Sequence, residues 1–198
     1  MKSLLVVSLL FAAWQVAAAS VTETFGWEGT QTILGSYGDI IATIVTDPVH
    51  GGSQSLMLED AAASGTPQAY VAWITGLSDG DIVTASFWRY DVTPAASPSC
   101  RIWAHWNDDP ADVYGHNGSA GGQDDYGPGT GWDLAEYTWT VIDGHTGLVI
   151  EARTYSEAGD IVWIDDMTIT APDGTSITTP GDLQALSADT WAAIKATF

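Results

Sequence analysis

Three short stretches place aromatic and hydrogen-bonding side chains at every second position. In residues 81–91, Thr84, Ser86, Trp88 and Tyr90 alternate with Val83, Ala85 and Phe87. In residues 101–106, Arg101, Trp103 and His105 alternate with Ile102, Ala104 and Trp106, and in 148–155 Glu151, Arg153 and Tyr155 stand opposite Leu148, Ile150 and Ala152. A period of two is that of a strand with one buried face. With the three strands in one sheet, the far face gathers Trp88, Tyr90, Trp103 and Tyr155 around Arg101, His105, Glu151 and Arg153. Aromatic rings cover the apolar C–H faces of sugars, and a few placed polar groups fix orientation through hydroxyls. The chemistry expected of such a face is non-covalent capture of a polysaccharide or glycan, with Trp88, Trp103 and Tyr155 as platforms. Two or three buried rings, less the cost of association, correspond to a Kd of about millimolar to tens of micromolar. The competing expectation is that the same rings pack beneath a loop or against a C-terminal helix.

The elements needed to hold that face are strands almost throughout. Further strands are expected at 21–25, 40–46, 53–59, 68–74, 137–142 and 161–169, separated by Gly-, Pro- and Asp-rich turns. Eight or nine short strands with almost no helix describe an all-β, antiparallel β-sandwich. In the last strand the apolar set Ile161, Trp163, Met167 and Ile169 is interrupted at Asp165, an inward carboxylate that must be paired, hydrogen-bonded or metal-bound. Residues 107–132 form the longest aperiodic stretch and are expected to border the sheet face, offering Trp106, Tyr114, Tyr126 and Trp132 as rings. Residues 172–198 read as a linker followed by a short amphipathic helix. In that helix Trp191, Ile194 and Phe198 share one face.

Composition removes several function classes. The formal net charge is −20, a surface that repels phosphate backbones, so nucleic acid is not an expected partner. Residues 1–19 have the form of a secretory signal: Lys2, an apolar run from Leu4 to Trp14, and Ala17-Ala18-Ala19 before Ser20. That run is too short to span a bilayer and no later stretch is long enough, so the mature chain is expected to be secreted, extracellular or at the cell surface. Cys100 is the only cysteine, which rules out an intrachain disulfide and suits a small buried hydrophobe.

The runs Ala69-Tyr70-Val71-Ala72, Gly76-Leu77-Ser78-Asp79-Gly80-Asp81-Ile82-Val83-Thr84-Ala85-Ser86-Phe87-Trp88-Arg89, Thr138-Trp139-Thr140 and Val162-Trp163-Ile164-Asp165-Asp166-Met167 together resemble carbohydrate-binding modules of families four and nine. The resemblance covers roughly residues 22–171. It implies a galactose-binding-like jelly roll, a glycan cleft lined by aromatic residues, and a structural calcium tying the opening strand to the closing one. By position, the calcium would fall to Asp165 or Asp166, with Glu23 or Glu28 and Asp47. Here Gly26 follows Phe25, where the family carries an acid.

Residues 20–171 are thus expected to form a non-catalytic glycan-binding domain. A different class of reading makes the jelly roll a structural or adhesive scaffold that self-associates through the C-terminal helix. An enzyme is not expected: the chain has no Gly-x-Ser-x-Gly and no His-Glu-x-x-His. Glu151 and His105 would be acid/base partners only if they met in a cleft.

Overall fold

A computed structural model describes residues 19–92, 100–127, 129–155 and 158–182. All but the last residue of the signal expected at 1–19, and the helix expected near the C-terminus, lie outside the described residues. Twelve strands form two antiparallel six-stranded sheets packed as a jelly-roll sandwich. In the first sheet β3 (Ile40–Val45), β4 (Ser55–Asp60), β11 (Ile161–Pro172), β6 (Ile82–Asp91) and β9 (Gly131–Thr140) lie in that order, and β1 (Ser20–Phe25) also pairs with β11. In the second, β12 (Ser176–Thr178), β5 (Gln68–Thr75), β10 (Gly147–Thr154), β7 (Cys100–Trp106) and β8 (Ser119–Gly122) are neighbours, and β2 (Gly35–Tyr37) adds to β5.

The core lies between the sheets. Val83, Ala85 and Phe87 of β6 meet Ile102 and Ala104 of β7 and Leu148, Ile150 and Ala152 of β10, all essentially inaccessible. Arg89 continues the inward phase of β6 and is 2% exposed. A buried charge needs partners. Arg89 donates to Asp133 Oδ2 from Nη2 (2.7 Å) and Nε (3.2 Å), and from Nη1 to the carbonyls of Cys100 (2.5 Å) and Asp125 (2.8 Å). It therefore ties a strand of the first sheet to the start of β7 in the second. Cys100 itself is buried, and burial pushes its thiol up to about 12, so it is inert as a nucleophile.

Two bulges set which side chains face where. On β11, Asp165 pairs with Trp88 but Thr168 pairs with Ser86, so β11 carries one extra residue, and Asp166 there has φ +45°. The bulge corrects the phase expected for this strand. Val162 and Ile164 point inward before it, Asp165, Met167 and Ile169 after it, and Trp163 stands on the outer face. On β5, Ile150 pairs with Ala72 and Glu151 with Tyr70, leaving Val71 as the extra residue.

The sandwich also continues past the boundary expected at 171. β11 ends at Pro172, and β12 pairs with β5 across Ser176↔Thr75 to Thr178↔Trp73, so residues 172–178 are strand and turn rather than linker. Thr179 then caps a helical turn that begins at Pro180, its N–H and hydroxyl donating to Asp182 Oδ2 (2.6 and 3.1 Å).

Candidate functional site

The strands carrying the eight expected ligand residues are divided between the two sheets. Trp88 and Tyr90 lie on β6 in the first sheet; Arg101, Trp103 and His105 on β7 and Glu151 and Arg153 on β10 lie in the second, with Tyr155 just beyond β10. The single-sheet grouping is thereby corrected: alternation assigns a residue to a face of its strand, and strand order assigns the strand to a sheet.

Trp88 and Tyr90 join a row of rings on the outer face of the first sheet. His50 stacks on Trp88 at 4.0 Å, and Tyr90 makes edge or tilted contacts with Trp132 (5.2 Å) and Trp163 (5.7 Å). On the second sheet, register sets three rows across the outer face. Gln68, Arg153 and Arg101 form one, Tyr70, Glu151 and Trp103 the next, and Val149, His105 and Ser119 the third. A cleft of about 490 Å³ opens over these rows. The segment between β7 and β8 supplies one wall, as expected of residues 107–132. It folds back through a series of side-chain-capped turns, in which Asn107, Asp109 and Asp112 accept from the N–H groups two residues on, and it brings Tyr114 to 6.0 Å from Tyr70 and His116 to 5.2 Å from His105. Trp106 packs in the core instead, stacked on His145 at 4.8 Å, and Trp132 belongs to the other face. Gly35 lies beside Tyr114, where a Cβ would stand 3.0 Å from its ring, so any larger residue there would press on this wall.

The polar floor is a linked set. Glu151, 1% exposed, accepts from His105 Nδ1 at 2.5 Å and from Arg153 Nε at 3.0 Å. The Gln68 amide completes it, its nitrogen 3.1 and 3.2 Å from the two Glu151 oxygens and its oxygen toward the Arg153 guanidinium. With Nδ1 committed to Glu151, His105 Nε2 has no hydrogen-bond partner among the described residues, and His105 lines the cleft. Burial first, and the Glu151 charge second, push the Tyr70 hydroxyl up to about 12, so it stays a neutral donor. Beside the cleft on the same face, Arg101 lies over Trp103 (4.8 Å), Tyr126 (4.6 Å) and Tyr155 (4.3 Å), while Arg153, which lines the cleft, also lies over Trp103 (4.9 Å). Glu151 and His105 do meet, but both carboxylate oxygens are occupied, and Glu151 is the one carboxylate among the residues lining the cleft.

Solved structures share this architecture. The CBM22-1 xylan-binding domain from Paenibacillus barcinonensis Xyn10C superposes with a TM-score of 0.52 at 16% identity, covering 79% of this chain and 98% of that one. The chain and these proteins share a jelly-roll fold. The N-terminal CBM22-1-CBM22-2 tandem domain of the same Xyn10C gives 0.56 at 16% identity over 79% of this chain and 47% of the tandem. The CBM22-1-GH10 modules of Clostridium thermocellum Xyn10B, complexed with xylohexaose, give 0.51 at 14% over 74% of this chain and 28% of that one. No protein-family model and no curated protein matches the chain. The neighbours are thus carbohydrate-binding modules of family 22, while the sequence resemblance pointed to families four and nine. No helix among the described residues is long and apolar enough to cross a membrane.

The expected calcium ligands separate in the same way. Glu23 and Asp47 are exposed. Asp165, fully buried, accepts from the N–H groups of His50 (2.9 Å), Gly51 (3.1 Å) and Asp166 (2.8 Å). Asp166 Oδ2 meets His50 Nδ1 at 2.7 Å, and Glu28 accepts from the Ser53 hydroxyl (2.6 Å) and from the N–H groups of Ser53 (2.8 Å) and Gln54 (3.2 Å). Asp166 and Glu28 press on Gly51 and Gly52, so that a Cβ at either glycine would collide with a carboxylate. These are hard oxygen donors of the kind calcium takes, gathered at one turn. Among the described residues no three His, Cys, Asp or Glu side chains group closely enough to hold an ion by themselves.

Gln68, Tyr70, Tyr37 and His116 are site residues that the sequence reading missed. The signal for two of them was present: Gln68 and Tyr70 flank Ala69 at period two.

Proposed function

We propose that the protein is a secreted, non-catalytic module that holds a glycan chain in the cleft on the outer face of the second sheet. The observation that carries this reading is the lining of that cleft. Tyr70, Trp103 and Tyr114 offer ring surface while Gln68, His105, Glu151 and Arg153 form a prearranged polar floor, so the side-chain ordering that binding would otherwise cost is already met. The xylan-binding neighbours make xylo-oligosaccharides the first ligands to test. Titration calorimetry with a xylohexaose-length oligomer should give a Kd in about the millimolar to tens-of-micromolar range. Trp103→Ala should weaken it about tenfold or more, since a buried ring contributes about 1.5–3 kcal/mol. Trp88→Ala, on the opposite face, should leave it unchanged. Equal binding by wild type and a folded Trp103→Ala variant would remove the cleft from the reading.

The proposal includes a calcium ion beside the turn formed by residues 50–53, held by the neighbouring carboxylates of Asp165 and Asp166 with backbone carbonyls and water completing the six to eight oxygens calcium needs. There it would fasten the N-terminal segment to β11. Melting in calcium and in EDTA tests this part: a higher Tm in calcium supports it, and coincident curves exclude it.

A further inference from the structure

The chain has five lysines and arginines against 25 acids. Lys2 and Lys195 lie outside the described residues, and Arg89 is sealed between the sheets. The remaining two, Arg101 and Arg153, stand directly opposite each other across β7 and β10 on the outer face of the second sheet. Like charges in facing positions on adjacent strands oppose pairing, so the placement needs anionic company. Arg153 has it in Glu151, buried beside it. Arg101 has less. Its ion-pair partner is Asp124, 3.3 Å away and 97% exposed, an arrangement that solvent screens heavily. Its other bond is to the Tyr155 hydroxyl (2.7 Å), and its Nε, buried, has no partner among the described residues. Three rings hold the guanidinium in place without neutralising it.

We infer that Arg101, on the same face just beyond the cleft's Trp103 and Arg153, selects an acidic glycan, one whose chain reaches out of the cleft with a carboxylate or sulfate that replaces Asp124 on the guanidinium. This inference rests on the cleft reading above and names the ligand class. A neutral sugar hydroxyl can accept a hydrogen bond from Arg101, but only an anion also answers its charge, and a planar carboxylate matches the guanidinium fork in two parallel bonds. The acidity of the molecule as a whole does not forbid this, because at physiological ionic strength charges beyond about 8 Å are largely screened. Trp103 adds a second fixed element: it lines the cleft and lies 4.8 Å from the Arg101 guanidinium, so a sugar held against it is within reach of that charge.

The test compares three oligosaccharides of one backbone length: a neutral xylo-oligosaccharide, the same backbone with one glucuronic acid branch, and the same backbone with one sulfate. The uronate or the sulfate oligomer should bind the full mature chain about tenfold tighter than the neutral one at low salt, as expected of a charge-assisted bond. That advantage should shrink severalfold on raising sodium chloride from about 0.05 to about 0.5 M. Arg101→Met, which keeps the stem among the rings, should lose more affinity for the acidic oligomer than for the neutral one, and Arg101→Lys should recover part of the difference. Which of the two acidic arms wins identifies the anion. Equal affinity for acidic and neutral oligomers overturns the inference and leaves the cleft reading standing. A preference that survives in Arg101→Met overturns it as well. Binding of none of the three overturns both. Should Arg101→Met fail to fold, the wild-type salt series decides alone.

Discussion

Glu28 and Asp165 accept hydrogen bonds at the same turn but titrate in opposite directions. The Ser53 hydroxyl first, then the Ser53 and Gln54 N–H groups against a smaller effect of burial, hold the Glu28 carboxyl below the usual glutamate range. Its contribution is therefore complete above its unfolded value of about 4.3 and fades as pH falls through the lower folded value. Burial raises Asp165 above the usual aspartate range, only partly offset by the N–H groups of Gly51, His50 and Asp166. Its folded form takes up a proton before the unfolded one does, so stability from this group increases as pH falls through that window. Glu28→Gln should accordingly flatten the acid limb of a Tm-against-pH profile below about pH 4.5. An unchanged limb would show that the Ser53 contact is not maintained in solution. Arg89 is the other residue with a measurable consequence. Asp133→Ala leaves a guanidinium buried with two carbonyls and the weakly placed Asp125 carboxylate at 3.6 Å, and should lower stability by about 3 kcal/mol in chemical denaturation. A loss near zero would mean that Asp125 takes over the pairing.

At the scale of elements, strand existence and face were legible where alternation was uninterrupted. β6, β7 and β10 each have the core side read from Val83-Ala85-Phe87, Ile102-Ala104 and Leu148-Ile150-Ala152. Periodicity failed where the backbone adds a residue. Trp163 reads as core from Met167 counted backward by twos, and only the Asp165–Asp166 bulge turns it outward onto Tyr90. The short strands β2, β8 and β12 were invisible because three or four residues are too few to show a period; pairing with a longer neighbour creates them. The division of the expected site between two sheets was illegible for a further reason. Trp88 and Trp103 have the same local signature, and what separates them is that β6 bonds to β9 and β11 while β7 bonds to β8 and β10. Six of the eight expected ligand residues nonetheless share one face.

For the molecule as a whole, the site exists only as a product of the complete fold. Its floor joins Gln68 to Glu151 and Arg101 to Tyr155, pairs far apart in sequence, and most of the sheet pairings are equally distant. Folding dominated by such pairings belongs to the millisecond-to-second range, and the cleft should appear with the last cooperative phase rather than before it. Stopped-flow tryptophan fluorescence with and without a bound oligosaccharide would show this: ligand should slow unfolding and leave the folding limb nearly unchanged. The extra residue in β5 has an effect that outlasts any one side chain. Val71 contributes nothing to the cleft wall, yet it sets the parity of everything before it in the strand. Bulged out of the pairing, it leaves Tyr70 opposite Glu151 and Gln68 opposite Arg153, both facing the ligand; paired in step as an ordinary strand residue, it would send both into the core and bring Ala69 out. Val71→Ala should keep oligosaccharide binding, and so should deletion of Val71, which removes the bulge without moving Tyr70 or Gln68 off their partners; calorimetric titration of the folded deletion variant checks this, and loss of binding there would show that the bulge itself shapes the cleft. The facing of the floor is thus protected by slack in the backbone, not by an identity: the spare residue can change or be lost without turning the site over, so long as it is never drawn into the pairing.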